Sequence, residues 1–375
     1  MRRLRDVLPL RRAVRGRSGA RVVDDPANKH AALVAILRRR VRSGQYAAGT
    51  RMPTVRDLAA EFGASVPTVS RCLVVLADQG FIVTDGRRGT RVVDHPPHRC
   101  RFGLVLPEAP DPDGRYASLH WQALADAARA LARDPRRQIE AFHAVSEHPE
   151  LIEHQRLLAA IRDGAIAGMV VCEPRRLHQW LDVGRVRLPM VGAGLRHDRP
   201  ERGQIRLDPA VLMQQALDRV HAAGRRRLAV LMDATPWSFA SVPWLRSAAA
   251  ARSIDLPEHR VQAAPLGAPA WARHAVEAMM RAEGPDALIV ADDNLLADAE
   301  AGLDAAGVAA EAVLVVAHAN YPLASPTRRP AIRLGWDMRE FLARATDAIA
   351  AWNERRTPVG DQELPVRDSA SVAPA

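Results

Sequence analysis

Glycines and helix-capping residues cut residues 27–94 into three short helices and a hairpin, and boundaries this closely spaced leave few folds open. From His30 to Ser43 the apolar residues Leu33, Ile36, Leu37 and Val41 recur at helical spacing, and Gly44 ends the run. Thr54 is placed to cap a second helix, Val55–Phe62, which Gly63 stops. Ser65 is placed to cap a third, with Pro67 in its first turn, where a missing N–H costs nothing. The spacing predicts that this helix runs to about Gln79, with Val69, Leu73 and Leu76 inward and Gly80 closing it. Phe81–Thr84 and Thr90–Val93 read as strands around Asp85-Gly86-Arg87-Arg88-Gly89, a turn with strong hairpin signals.

Helix, helix, turn, helix and hairpin in this order is the plan of a winged helix-turn-helix. In that plan the third helix enters the DNA major groove with its N-terminal residues toward base edges. Ser65, Val66, Pro67, Thr68, Ser70 and Arg71 are then expected near DNA, while Val69, Cys72, Leu73 and Leu76 face the core. Arg56 is placed to clamp a phosphate, and Arg87 and Arg88 at the hairpin tip to reach the backbone or the minor groove. Thr54 and Ser65 offer short phosphate contacts beside their capping roles. Charge agrees with this assignment. Residues 1–100 carry 20 Lys+Arg against 8 Asp+Glu, whereas the rest carries 33 against 35, so a polyanion partner is expected for the first quarter alone. Arginine abundance is not itself the argument, since Lys29 is the only lysine and the bias runs through the whole chain.

The segment closely resembles the DNA-binding domain of the GntR family. The resemblance runs through Gly44-Gln45-Tyr46-Ala47-Ala48-Gly49-Thr50-Arg51-Met52-Pro53-Thr54-Val55-Arg56-Asp57-Leu58-Ala59 and on through Phe62-Gly63-Ala64-Ser65, Thr68-Val69, Leu73, Leu76, Gly80, Gly86 and Gly89. It implies a DNA-reading function. The chain departs from the family where Val66 and Ser70 stand at positions that often hold arginine. Arg56, Arg71 and the wing must then carry more of the affinity.

Beyond Arg99 the pattern changes to apolar strands alternating with Ala-rich amphipathic helices, the signature of parallel α/β sheets covered on both faces. Predicted strands are Phe102–Leu106, Ile139–His143, Met169–Cys172, Pro189–Val191, Leu228–Met232, Ala287–Val290 and Val313–Val316. Helical segments include Leu119–Ala132, Leu151–Arg162, Val211–Ala223, Ala270–Ala282 and Leu296–Ala306. So long a stretch exceeds one comfortable core, so two lobes are expected. The layout is a disordered basic tail at 1–26, the winged helix-turn-helix at 27–94, a stiff linker at 95–101 and a two-lobed α/β domain at 102–369.

This second part is similar to the effector domain of the LacI/GalR family, with its periplasmic-binding-protein-like fold. The similarity rests on the order of short pieces, among them Phe102-Gly103-Leu104-Val105-Leu106-Pro107, Leu188-Pro189-Met190-Val191-Gly192, Gly284-Pro285-Asp286-Ala287-Leu288-Ile289-Val290-Ala291-Asp292-Asp293-Asn294 and Leu364-Pro365-Val366-Arg367-Asp368-Ser369. It implies a small-molecule effector held between the lobes, a sugar being one candidate. Ligands of such folds sit at the C-terminal ends of parallel strands. Strand-end logic nominates Glu173, Asp208, Trp237, Asp292, His318 and Asn320, and a strand-end aspartate that merely caps the next helix is the competing reading for each. Two departures bear on the ligand. Ala319 stands where sugar-binding members usually carry Asp, and their Arg after the fifth strand is missing from Ser241-Val242-Pro243-Trp244-Leu245, unless Arg246 replaces it by a slip of register.

Cys72, Cys100 and Cys172 form no CxxC pair, which fits a reducing compartment. No apolar run reaches the ~20 residues of a membrane span, and Arg11 and Arg12 interrupt any signal-peptide core. His95 and His98 flank two prolines without a third metal ligand nearby. Gly192-Ala193-Gly194 lacks the third glycine of a dinucleotide loop, and neither a phosphate-binding GxxxxGK[ST] nor a GxSxG elbow occurs. The chain is therefore read as a cytoplasmic non-enzyme without cofactor or metal: a homodimeric repressor binding double-stranded DNA at a pseudo-palindromic operator and answering to an effector. The alternative is a small-molecule-binding or enzymatic α/β protein with a basic tethering domain.

Overall fold

The computed structural model describes residues 26–86, 89–115, 117–145, 150–172, 186, 188–193, 198–281, 284–323 and 326–369. The tail expected to be disordered lies outside these residues up to 25, as do Arg87 and Arg88. The chain divides into two compact units, the first ending at Val92 and the second starting at Val93.

The first unit packs helices α1 (Pro26–Arg42), α2 (Val55–Phe62) and α3 (Val66–Asp78) against a hairpin of β1 (Ile82–Asp85) and β2 (Gly89–Val92). Local chemistry sets these boundaries. Thr54 and Asp57 form a reciprocal capping box, the Asp57 amide donating to the Thr54 hydroxyl at 3.2 Å and the Thr54 amide to the Asp57 carboxylate at 3.0 Å. Gly63 ends α2 in the left-handed region at φ 57°, where any other residue would be strained. Ser65 caps α3 by accepting the Thr68 amide at 3.3 Å. Leu37, Leu58, Val69, Cys72 and Leu76 form the buried centre; α1 turns Val34 inward and leaves Ile36 half-buried. The stretch before α2 adds a rung that the sequence reading does not include. The Met52 amide donates to Thr90 and the Val92 amide to Thr50, both at 2.9 Å, which seats Arg51 beside Arg91 on the wing.

The second unit has two lobes, each a six-stranded sheet. It starts earlier than the expected linker allows. Pro97–Cys100 forms a helical turn, α4, with Pro97 and Cys100 buried, and β3 (Arg101–Val105) begins at once. Proline pre-set for a first helical turn and two small apolar side chains make this segment part of the core rather than a spacer. The first sheet runs β13-β7-β6-β5-β3-β4, all parallel, from β4 (Gln138–Phe142), β5 (Gly168–Val171), β6 (Met190–Gly192), β7 (Arg202–Arg206) and β13 (Gly360–Glu363). It carries α5 (Leu119–Leu131) and α6 (Ile152–Asp163). The second sheet runs β14-β12-β11-β10-β8-β9, from β8 (Leu228–Asp233), β9 (Val261–Ala264), β10 (Ala287–Val290), β11 (Leu314–Tyr321), β12 (Ala331–Asp337) and an antiparallel β14 (Arg367–Asp368). Its helices are α7 (Pro209–Ala222), α8 (Pro236–Ala250), α9 (Pro269–Arg281) and α10 (Leu296–Ala305). The last helix, α11 (Met338–Arg355), returns to the first sheet, where Phe341, Leu342, Ala345 and Ile349 join the core around Phe102, Leu104 and Leu124.

The predicted strands and helices lie within a residue or two of these elements, except that α1 begins four residues before His30 and that one strand runs on. The strand expected to stop at Val316 continues as β11 to Tyr321, because Ala317, Ala319, Asn320 and Tyr321 are buried and keep pairing with β12. His318 and Asn320 therefore sit within a strand, not beyond its end.

Candidate functional site

Two surfaces carry chemistry, one in each unit. On α3 the first turn is open: Ser65, Val66, Pro67 and Arg71 are exposed, and Thr68 and Ser70 half-buried. Val66 presents a branched apolar side chain, 47% exposed, where an arginine is common in the resembled family. Arg71 folds back toward the Pro67 carbonyl, 3.4 Å from its Nε. Arg56 is exposed on the first turn of α2, beside the Thr54 cap. Hydrogen bonds from Thr54 hold the Asp57 carboxyl below its ordinary value, so the acidic cap stays charged at the helix N-terminus. Arg40 has a different job. It bonds Glu61 at 2.6 Å and the Tyr46 hydroxyl at 2.7 Å and lies over the Phe62 ring, tying α1 to α2. The sequence reading passes over Arg51 and Arg91, which the added rung brings together on the exposed wing; their isolated positions in the chain give no signal of it.

In the second unit a cavity of about 180 Å3 opens at the carboxyl ends of β8 and β10. Asp233, Ser238, Ser241, Asp292, His318 and Trp336 give it polar atoms, and Trp244, Leu212 and Met213 give it apolar wall. Of the nominated residues, Asp292 and His318 line it. Glu173 lies outside the described residues, and Trp237 falls in the first turn of α8 with a side chain that is also outside them. Asp208 caps α7, accepting the Ala210 amide at 2.9 Å, and is not among the lining residues. Asn320 is buried behind the cavity. Arg246 does not slip into the missing cationic position, since its Nε donates to the Leu256 carbonyl at 3.2 Å. Asp292 and Asp293 stand past the end of β10, and Asp293 opens a 3-10 turn, Asp293–Leu295.

These two aspartates anchor a bridge between the lobes. Asp292 Oδ1 accepts the side-chain amide of Asn294 at 2.7 Å, and Asn294 Oδ1 accepts the Leu119 amide at 2.9 Å. Ser118 makes no side-chain cap, so α5 takes its terminal acceptor from the opposite lobe. Asp293, 1% exposed at its side chain, receives the Asn320 side-chain amide at 3.0 and 3.1 Å and the Asn320 backbone amide at 3.1 Å. With its nitrogen committed, Asn320 uses Oδ1 as the acceptor for His120 Nδ1, 2.9 Å away. Burial pushes the Asp293 carboxyl up, but the bonds from His318 and Asn320 outweigh it and hold the group below its ordinary value. Burial pushes the Asp292 carboxyl up despite its bonds from Asn294.

His120 is held neutral, its pKa lowered by burial against the opposing bond to Asn320, with His318 adding to the lowering and Asp293 opposing it. An unfolded chain takes up a proton near pH 6.5 that the folded His120 refuses, so the bridge is stable above that pH and weakens as pH falls through it. The melting temperature of the protein should therefore fall more steeply from pH 7.5 to 5.5 than that of His120→Gln. Identical slopes would show that His120 does not control the bridge.

Among the described residues no group of three His, Cys, Asp or Glu is placed to hold a metal ion, and no single helix is long and apolar enough to cross a membrane.

Comparison with known proteins separates the two units. Residues 29–92 match the bacterial regulatory proteins of the gntR family. The HTH-type transcriptional regulator Rv1152 of Mycobacterium tuberculosis is 46% identical over 50 residues, 13% of this chain; the match spans 41% of that relative's length. The fold of the second unit recurs in a LacI-type transcription regulator from Bifidobacterium animalis subsp. lactis, at a TM-score of 0.54 and 16% identity, over 73% of this chain and all of that one. It recurs again in the transcriptional regulator CelR in complex with cellobiose, at a TM-score of 0.53 and 18% identity, over 84% of this chain and 98% of that one. By these matches residues 29–92 form a domain of the gntR family, and the second unit has the two-lobed fold seen in that LacI-type regulator.

Proposed function

We propose that the chain is a sequence-specific DNA-binding transcription regulator, a repressor, controlled by a small molecule bound between the lobes of its second unit. The observation that carries this reading is the union in one chain of an open, capped reading helix of the gntR kind with a two-lobed fold whose cavity lies at strand ends. On DNA, Ser65, Thr68, Ser70 and Arg71 face base edges, Val66 offers apolar contact, and Pro67 shapes the first turn. Arg56, Thr54 and the wing, including Arg87 and Arg88, hold phosphates. Glu173, Asp208 and Trp237 stay proposed cleft residues beside Asp292, His318 and Asn320. A ligand acts by favouring one lobe arrangement over another, and the Asn294 and Asn320 bridges are the contacts that such a movement makes or breaks. Two copies reading a pseudo-palindrome, in the cytoplasm and without catalysis, complete the proposal.

The test begins with duplexes selected by the protein from a randomised pool. A two-fold symmetric consensus is expected, with Arg56→Ala and Arg71→Ala each weakening binding by about 1–3 kcal/mol. Unchanged affinity in both variants would sink the placement of α3. Failure to select any sequence would favour a basic domain that only tethers an α/β protein.

A further inference from the structure

The cavity in the second unit is charged on one side only. Asp233 and Asp292 reach it, and among the described residues no Arg or Lys lines it; His318 is the other titratable lining group. Asp233 Oδ1 is taken by the Ser238 hydroxyl at 2.5 Å, and Asp292 Oδ1 takes both bonds from Asn294. A third carboxylate, Asp293, lies directly behind His318, 3.5 Å from its Nδ1. A phosphate or carboxylate brought here meets two carboxylates at the wall and a third behind it; among the described residues the cation that acts on the third, Arg333, does not line the cavity.

The lining also holds ring nitrogens without hydrogen-bond partners. Trp336 lines the cavity and is 7% exposed, and its Nε1 has no hydrogen-bond partner; the same is true of His318 Nε2. His318 packs edge-on against Trp336, 5.4 Å between ring centres, so the two unpartnered nitrogens belong to neighbouring rings, and the indole Nε1 is a donor in every state. A buried N–H left unpaired costs free energy comparable to a lost hydrogen bond. The cavity thus asks two things of one ligand: a positive donor for the carboxylates and an oxygen or nitrogen acceptor for the indole. A neutral sugar can reach both with hydroxyls but leaves the carboxylate charge unopposed, and a phosphorylated one adds to it.

Resting on the effector reading above, we infer that the ligand is a small aminated polyol, which presents a protonated amine to Asp292 and a hydroxyl oxygen to Trp336 Nε1. The absence of a cation at Ser241 fits this choice, because that position opens on the same cavity with only a short hydroxyl. Trp244 supplies a flat apolar face for the ring or chain of the ligand.

Isothermal titration of the full chain with glucosamine, glucose and glucose 6-phosphate tests this. Glucosamine is expected to bind at least about tenfold tighter than glucose, and glucose 6-phosphate not measurably. Asp292→Asn should erase the preference for the amine while keeping glucose binding. Trp336→Phe should weaken both sugars by the same factor. Equal affinity for glucosamine and glucose, tighter binding of the phosphate ester, or a preference that survives Asp292→Asn would overturn the inference. So would silence from all three sugars. The effector reading itself fails separately, only if a broad metabolite panel also leaves the melting temperature unmoved. Should Asp292→Asn not fold, Asp233→Asn and the wild-type ranking of the three sugars still decide the matter.

Discussion

Gly335→Ala is expected to destabilise the second unit by more than about 3 kcal/mol, beyond the usual cost of overpacking a core. Gly335 pairs with Ala319 inside the β11–β12 ladder. A Cβ at this position would lie 1.6 Å from the Ala319 carbonyl oxygen and 2.6 Å from its carbon. The obstacle is backbone, which cannot rotate away as a side chain does, so the strands must separate or the register must slip. A slip would turn the His318 and Trp336 side chains away from the cavity. Urea unfolding followed by tryptophan fluorescence measures this cleanly, because all seven tryptophans lie beyond Val93. Gly86→Ala is the control, since a Cβ there meets nothing within 4 Å. A midpoint for Gly335→Ala as close to wild type as the control's would show that the strand approach is looser than described.

Asn320→Leu should cost about as much, roughly 3 kcal/mol or more. The leucine fills a similar volume but removes both side-chain bonds to Asp293 and the acceptor for His120. Asp293 is then a buried carboxylate held by His318 and one backbone amide. Its proton affinity rises, so the variant should also be relatively less unstable at pH 5 than at pH 8, opposite to the wild-type trend. Melting curves at the two pH values check both statements. A variant that melts with the wild type at pH 8 would mean that Asp293 finds other donors.

How much of this was legible depends on how local each signal is. The helices and hairpin of the first unit are written in neighbours: Thr54 with Asp57, Ser65 with Thr68, Gly63 at a left-handed turn. Arg51 was missed because its rung is two hydrogen bonds long and is made by residues far along the chain. In the second unit, apolar runs found β3, β5, β8 and β10, since strands covered on both faces read as uninterrupted hydrophobicity. β7 and β12 escaped because Arg202 and Arg333 break that run, although both arginines are buried. Helix α11 keeps a regular apolar stripe that the same rule could have caught, whereas α8, apolar on all sides and holding Pro243, keeps none. Strand-end reasoning reached Asp292 but not Trp336 or Asp233, whose places depend on how strands line up in the sheet. His120 offered no signal at all, its partner lying 200 residues away.

The return of the chain to its first sheet has a consequence for synthesis. The lobe that begins first is finished last: its sheet lacks an edge strand until Gly360–Glu363 exists, and its core lacks Phe341 to Ile349 until α11 is made. The other lobe is assembled almost wholly from residues 209–337 and closes in one stretch. A ribosome therefore completes the winged-helix unit early, then holds a half-built lobe with exposed apolar strands while more than a hundred further residues are added. Those strands need shelter during that interval, and the domain order of this gene sets how long the exposure lasts.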